Sequence, residues 1–297
     1  MIVVKKQPYQ MKNTAVCIGK FDGLHMGHQS LIAEISKYTQ YQKVLFTFAF
    51  PEGPYILTPE EKYVKAEKLG IDFYVECPFD ETLKELSAEE FFDEILLRQC
   101  DAKVICVGDD FHFGKNRGGD VRLLQKMSEK AGIVCIVVPK KKMYDEIISS
   151  TRIRKCLGDG SLSLANELLG APYMVMGEVV HGNKIGRTLD MPTANQIPEG
   201  RKILPPFGVY ASRVCVEGEY YFGVTNLGVK PTIPGENQIG VETCLLQFEG
   251  DLYGKKIQVE LCEFIRGERK FANLEQLMHQ MEADKKNAGL FFGQPIK

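Results

Sequence analysis

The period of the hydrophobic pattern changes once along this chain, near residue 173, and that change sets the fold more than any other feature. Before it, short apolar runs alternate with helical segments. TAVCIG (14–19), KVLFTFAF (43–50), FYVECPF (73–79), AKVICVG (102–108) and GIVCIVVP (132–139) read as strands buried on both faces. Between them lie helical patterns. One has Leu31, Ile32, Ile35 and Tyr38 on a single face. TPEEKYVKAEKLG (58–70) has Thr58 as cap and Pro59 at its first position, and SAEEFFDEILLRQC (87–100) carries a Ser87/Glu90 capping box. DVRLLQKMSEKAG (120–132) is the fourth. Buried strands alternating with helices predict an α/β domain with a parallel sheet covered on both faces.

After SLSLANELLG (161–170) the apolar residues alternate and glycine turns appear, in YMVMGEVVHG (173–182), GVYASRVCVEGEYYFGVTNLG (208–228) and VETCLLQFEGDLYGKKIQVELCEFI (241–265). Glu217–Gly218 and Glu249–Asp251 read as hairpin turns. This predicts an antiparallel barrel or sandwich. A last helix capped by Asn273 closes it, with Leu274, Leu277, Met278 and Met281 on one face. The expected domains are therefore 1–170 and 171–297.

A chain of 297 residues is long enough for two such cores. With 44% hydrophobic and 26% charged residues it reads as globular, and a net charge of −2 supplies no general basic field for nucleic acid. No apolar run reaches the length of a membrane span, and MIVVKKQPYQMKN has neither the apolar core nor the cleavage site of a signal peptide. The nine cysteines form no C-x-x-C pair, and most sit inside apolar runs, where a thiol acts as a small hydrophobe. A reducing cytoplasm fits this usage, and structural zinc or disulfides do not.

GKFDGLHMGHQSLI (19–32) holds two of the five histidines, His25 and His28, between a predicted strand and a helix. Ligands of open parallel sheets bind at the carboxyl ends of strands, where a helix start presents free N–H groups. Gly19, Gly23 and Gly27 allow close backbone approach, and imidazoles can donate to phosphate oxygens. A zinc site needs three or four ligands, and nothing else here makes such a set. ISSTRIR (148–154) offers hydroxyls and forked guanidinium donors at another helix start. In VGDDFHFGKNRGGD (107–120), Asp109, Asp110 and Asn116 suit ribose hydroxyls or base edges, and Phe111 and Phe113 suit a planar ring, although a polar turn over core aromatics has the same composition.

The spacing G-x-F-D-G-x-H-x-G-H resembles the HxGH signature of the nucleotidylyltransferase superfamily, which implies a Rossmann-like domain joining a nucleotide to an acceptor phosphate. Together with the 107–120 loop it resembles one family, the bifunctional riboflavin kinase/FMN adenylyltransferases. GEVVHGNKIGRTLDMPTANQ (177–196) is similar to that family's kinase motif, and NLGVKPTI (226–233), the stretch from Val241 and FIRGERKF (264–271) also match. The resemblance implies that His25 and His28 serve adenylyl transfer. It places Gly19, Phe21, Asp22, Gly27, Ser150, Thr151 and Arg154 around the ATP phosphates. Asp110, Phe111, Phe113, Asn116 and Arg266 are then expected at flavin or nucleotide. In the second domain, Gly182, Gly186 and Arg187 form the ATP loop. Thr193 and Asn195 offer oxygens to Mg²⁺, and Glu242 accepts the proton of an attacking alcohol.

The implied reactions phosphorylate riboflavin to FMN and adenylylate FMN to FAD, with ATP as co-substrate in both and small molecules as the partners. Two departures stand out. TFAFPEGP (47–54) occupies the place of the family's T-F-x-P-H-P, and Asp190-Met191 that of Gly-Phe. The alternatives are an enzyme with one active module, or a flavin-binding protein without turnover. The oligomeric state is not legible in the sequence.

Overall fold

The computed structural model describes residues 1–49, 53–181, 193–231 and 237–293. The chain forms two compact units, one of Met1–Tyr55 with Lys62–Ser150, the other of Ile56–Glu61 with Thr151–Lys297.

The first unit is built on a six-stranded sheet. Its strands are β1 (Ile2–Val4), β2 (Thr14–Ile18), β3 (Gln42–Ala49), β4 (Phe73–Pro78), β5 (Ala102–Gly108) and, after two short strands, β8 (Val134–Val138). All pairings are parallel, in the order β1-β4-β3-β2-β5-β8. Side chains alternate across this sheet as its pleat requires. Val16, Ile18, Phe46, Val75 and Ile105 face one core with Phe92, Ile95 and Leu124. Ala15, Cys17, Leu45, Tyr74 and Cys106 face another with Leu31, Ile32 and Ile35. Each fully buried Leu, Ile or Phe contributes about 1.5–3 kcal/mol. Two covered faces explain why these strands read as continuous apolar runs.

Apart from a short helix at 81–85 that no sequence signal marked, the helices follow their predicted signals. They are α1 (Met26–Ser36), α2 (Pro59–Lys68), α3 (Glu81–Glu85) and α4 (Ala88–Glu90), which continues as a π-helix (Phe91–Gln99). Thr58 Oγ1 accepts from Glu61 N at 3.3 Å while Glu61 Oε2 accepts from Thr58 N at 2.9 Å. The Ser87/Glu90 box forms in the same reciprocal way. Tyr38 lies two residues past the end of α1 but still packs on its core. Two short hairpins, β6 (His112–Phe113) with β7 (Gly119–Asp120) and β9 (Lys142–Met143) with β10 (Glu146–Ile147), flank α5 (Val121–Ala131) in sequence.

From β2 the chain builds β3 and β4 on one side, then crosses to place β5 and β8 on the other. The carboxyl ends of β2 and β5 therefore meet at a topological switch point, where open α/β sheets bind ligands. The loops leaving those ends are the histidine loop and the 107–120 loop.

In the second unit, α6 (Ser150–Gly158, whose first residue belongs to the first unit) and α7 (Leu162–Leu169) precede an antiparallel sheet. Its strands are β11 (Tyr173–Glu178), β12 (Thr193–Gln196), β13 (Gly208–Val216), β14 (Glu219–Pro231), β15 (Asn237–Leu245) and β16 (Lys256–Gly267), in the order β11-β16-β13-β14-β15-β12. The sheet curls until its edges meet. Val180, just past β11, bridges Asn195 of β12, and Gln196 Nε2 donates to Gly177 O and Ile257 O at 3.0 Å each. Glu217 and Gly218 make the two-residue hairpin between β13 and β14, both at positive φ (50° and 94°), the geometry that matches strand twist.

Two expectations need correction here. Glu249–Asp251 is not a hairpin turn. β15 pairs with β14 and β12, and β16 pairs with β11 and β13, so these residues belong to a longer connection. The terminal helix α8 (Leu274–Phe291), capped by the Asn273 side chain on Gln276 N, buries a different stripe. Leu277 and Met281 pack on Cys244, followed by Asp284 and Ala288, while Leu274 and Met278 are exposed. The reason is polar: Asp284 turns inward to receive both arms of Arg266, and this rotates the hydrophobic face.

Candidate active sites

The histidine loop is held on the ends of β2 and β3. Gly19 N donates to Phe46 O at 3.1 Å, and Thr47 Oγ1 to Lys20 O at 3.0 Å. Phe21 (φ 48°) and Leu24 (φ 43°) are fully buried in the left-handed region, beside Gly23 (φ 83°). Bulky residues there cost about 1–3 kcal/mol each, a strain that clusters at ligand sites. His25 caps α1, its Nδ1 accepting from His28 N at 3.3 Å. In the neutral ring the proton therefore sits on Nε2, ready to donate. The two imidazoles stack with centroids 3.6 Å apart, and the edge of Phe21 meets His28 at 5.2 Å. A Cβ on Gly27 would lie 3.1 Å from the His25 ring, so glycine makes room for the stack. Ser150 Oγ donates to Asp22 O at 2.9 Å, which ties the start of α6 to this loop. Thr151 and Arg154 follow on that helix, in the second unit.

Burial, then the Lys65 ammonium, pushes His25 down to about 4. Burial, then His25 and Lys65, holds His28 well below its usual 6.5. Both rings are neutral near pH 7. In the unfolded chain they bind protons below about 6.5, so the unfolded state takes up more protons as pH falls from 6.5 towards 4. This contribution to stability is fully present above 6.5 and lost through that window. Urea midpoints of the first unit should therefore fall between pH 6.5 and 4, with a shallower fall in His25→Asn; equal slopes in the two proteins would contradict this.

The 107–120 loop leaves β5 and folds against the start of α4. Gly114 (φ 72°) leaves no space for a side chain, since its Cβ would lie 2.5 Å from Ala88 N. Phe113 is buried in the core against Phe91, and half-buried Phe111 stacks on it at 5.5 Å. Asp110 pairs with Lys140 at 2.8 Å, and Asn116 is exposed at positive φ. Phe113 thus packs in the core, while Phe111, Asp110 and Asn116, like the neighbouring Asp109, His112, Lys115 and Arg117, reach solvent.

The second constellation lies on β12, β14 and β15. Glu242 stands in register between Asn195 and Asn226. Its neighbours Val241 and Thr243 are fully buried on the opposite side. Thr193 Oγ1 donates to Glu242 Oε1 at 2.7 Å, and Asn195 Nδ2 donates to Thr193 O at 3.4 Å. The strand register thus gathers one carboxylate and two neutral oxygen donors. Arg266 of β16 lies further along the same cross-strand row, opposite Val209 of β13, in a bidentate pair with Asp284 (2.9 and 2.6 Å). Gly182, Gly186, Arg187 and the Asp190-Met191 departure lie outside the described residues, as do Phe50–Glu52 of the TFAFPEGP departure.

The model of the FAD synthetase family matches residues 7–152, and that of the riboflavin kinase family matches 169–292. A bifunctional riboflavin kinase/FMN adenylyltransferase of Haemophilus influenzae is 35% identical over 295 residues, covering 95% of each chain. Its counterpart in Escherichia coli K12 is 38% identical over 289 residues, covering 93% of this chain and 92% of its own. The chain belongs to the bifunctional riboflavin kinase/FMN adenylyltransferase family. A Streptococcus pneumoniae crystal structure described as a macrolide-efflux protein shares its fold, with a TM-score of 0.82 at 31% identity over 97% of this chain and 99% of that one. Among the described residues of this family member, no helix is long and apolar enough to cross a membrane.

Sequence reasoning missed two residues beside the histidine loop. Lys62 and Lys65, one turn apart on α2, are 8% and 7% exposed. Lys65 Nζ donates to Gly23 O at 3.3 Å, and burial lowers Lys65 to about 8. Burial also lowers Lys62, opposed by Glu76 and Asp22. The available signal was their spacing: both fall on the face of α2 that carries Ala66 into the core.

Proposed function

We propose that this protein makes FMN and then FAD. The second unit phosphorylates riboflavin: its ribityl 5′-hydroxyl attacks the γ-phosphorus of ATP, ADP leaves, and Glu242 accepts the proton. The module of residues 1–170 adenylylates FMN: a phosphate oxygen of FMN attacks the α-phosphorus of a second ATP, and pyrophosphate leaves. His25 offers Nε2–H to the phosphate whose charge grows in that step, and His28 holds its ring in place by stacking. The backbone N–H groups opening α1 and α6, with Ser150, Thr151 and Arg154, receive the triphosphate.

The oxygens of Thr193 and Asn195 beside one carboxylate suit Mg²⁺, which favours few protein ligands and completes its shell with water and phosphate. Bound there, the ion would neutralise phosphate charge. Thr193, already donating to Glu242, keeps lone pairs for a cation while fixing the carboxylate. The functional modules are assigned to 1–170 and 171–297. A cytoplasmic location accords with nine free cysteines.

The observation that carries this reading is the presence of both site geometries on one chain that aligns with bifunctional relatives over more than nine-tenths of its length. Incubation with riboflavin, ATP and Mg²⁺, with flavins separated over time, should show FMN rising first and FAD following. FMN alone would restrict the protein to its kinase module, and neither product would exclude turnover.

A further inference from the structure

A helix that packs on a sheet normally turns apolar residues inward, because hiding an ammonium costs several kcal/mol unless it is well compensated. α2 does otherwise: Lys62 and Lys65 are buried beside Ala66. Lys65 reaches the strained part of the histidine loop, where its Nζ donates to Gly23 O, two residues before His25. Its charge acts on both stacked imidazoles. Within the same environment, Asp22 of the loop and Glu76 of β4 act on Lys62. A buried lysine that touches a ligand-site loop and biases the site's titratable groups is the pattern expected of a functional cation rather than a stabilising one.

We propose that Lys65 is a positioning residue for adenylyl transfer: its ammonium fixes the Phe21–Leu24 loop through the Gly23 carbonyl, and with it the placement of the His25–His28 stack against the nucleotide phosphates. The inference rests on assigning adenylyl transfer to this loop. Two consequences follow from the geometry. Removing the charge lets His25 and His28 protonate at higher pH, so the acid limb of the reaction moves up. Removing the Gly23 contact loosens the loop that presents the phosphate-facing N–H groups, so nucleotide binding weakens.

The test uses the full-length protein with Lys65→Met and, as a second variant, Lys65→Gln. With FMN supplied, kcat/KM for FAD formation should fall about 10²-fold. The acid limb of its pH profile, and the His25 titration followed by NMR, should move up by about one pH unit. FMN formation from riboflavin should stay at the parental rate. Thermal midpoints should be unchanged or higher, since a buried charge has been replaced. Parental FAD formation with an unmoved acid limb would overturn the proposal. So would a loss of activity matched by a loss of stability in both variants, with the His25 titration unmoved. If the parental protein makes no FAD at all, the adenylyl-transfer reading fails instead, and the His25 titration still reports whether Lys65 acts on the imidazoles.

Discussion

Replacing His28 with alanine is expected to stop FAD formation from supplied FMN, by roughly 10²–10³-fold, while riboflavin phosphorylation continues at the parental rate. His28 N donates to the ring that caps α1, and its own ring stacks on that ring at 3.6 Å. Without the stack, His25 loses the surface that fixes its Nε2–H. The converse change is Glu242→Gln, which leaves Thr193 an oxygen to donate to but takes away the base. FMN formation should then fall by roughly 10²–10⁴-fold, with FAD still made from supplied FMN. Both sets of rates can be read from one separation of flavins. Equal loss of both activities in either variant, with the fold intact, would contradict the assignment of each reaction to its own unit.

The second large effect concerns stability. Glu61 and Lys202 form an ion pair at 2.6 Å, with side-chain exposures of 0% and 1%. Around it, Met176 N donates to Glu61 at 2.9 Å, Lys202 Nζ donates to Ile56 O at 3.2 Å, and the ammonium lies 4.4 Å from the Tyr173 ring centroid. Tyr173 Oη also donates to Ile56 O. Residues 56–61 are thereby built into the second unit although they precede it by about a hundred residues of sequence. Lys202→Met leaves the Glu61 carboxylate buried and unpaired, and should destabilise that unit by about 3–5 kcal/mol. The double variant Glu61→Leu with Lys202→Met should recover most of the loss, because neither charge is then stranded. Denaturant unfolding checks both; additive losses in the double variant would show that the pair is not coupled. The same contacts predict that a fragment of 171–297 alone, lacking Glu61, is less stable than the unit within the whole chain.

The fold was legible where burial and periodicity agree. β2, β3 and β5 read as unbroken apolar runs because the sheet is covered on both faces, and the Ser87 and Asn273 caps were visible because a capping side chain is a local matter. Legibility failed where a distant partner decides. The stripe of α8 is set by Arg266, which draws Asp284 inward, and hydrophobicity alone favours Leu274 and Met278. Glu249–Asp251 has turn chemistry, yet the sheet order separates β15 from β16, and no local signal encodes that order.

The site divides in the same way. His25, Gly27 and His28 announce themselves because their spacing and their place between strand and helix are both local. Glu242 was found through its neighbours in sequence, and the register then set it beside Asn195. Lys65 stayed hidden, since a lysine on a helix rich in charge reads as a solvated one. Only the approach of α2 to the histidine loop reveals it.

One chain performs two different transfers from ATP to flavin. Labelled ATP tests this most directly. Starting from riboflavin, γ-labelled ATP should label FMN and then FAD, while α-labelled ATP should label FAD only. Label from α-labelled ATP in FMN, or FAD carrying no label from α-labelled ATP, would contradict the account.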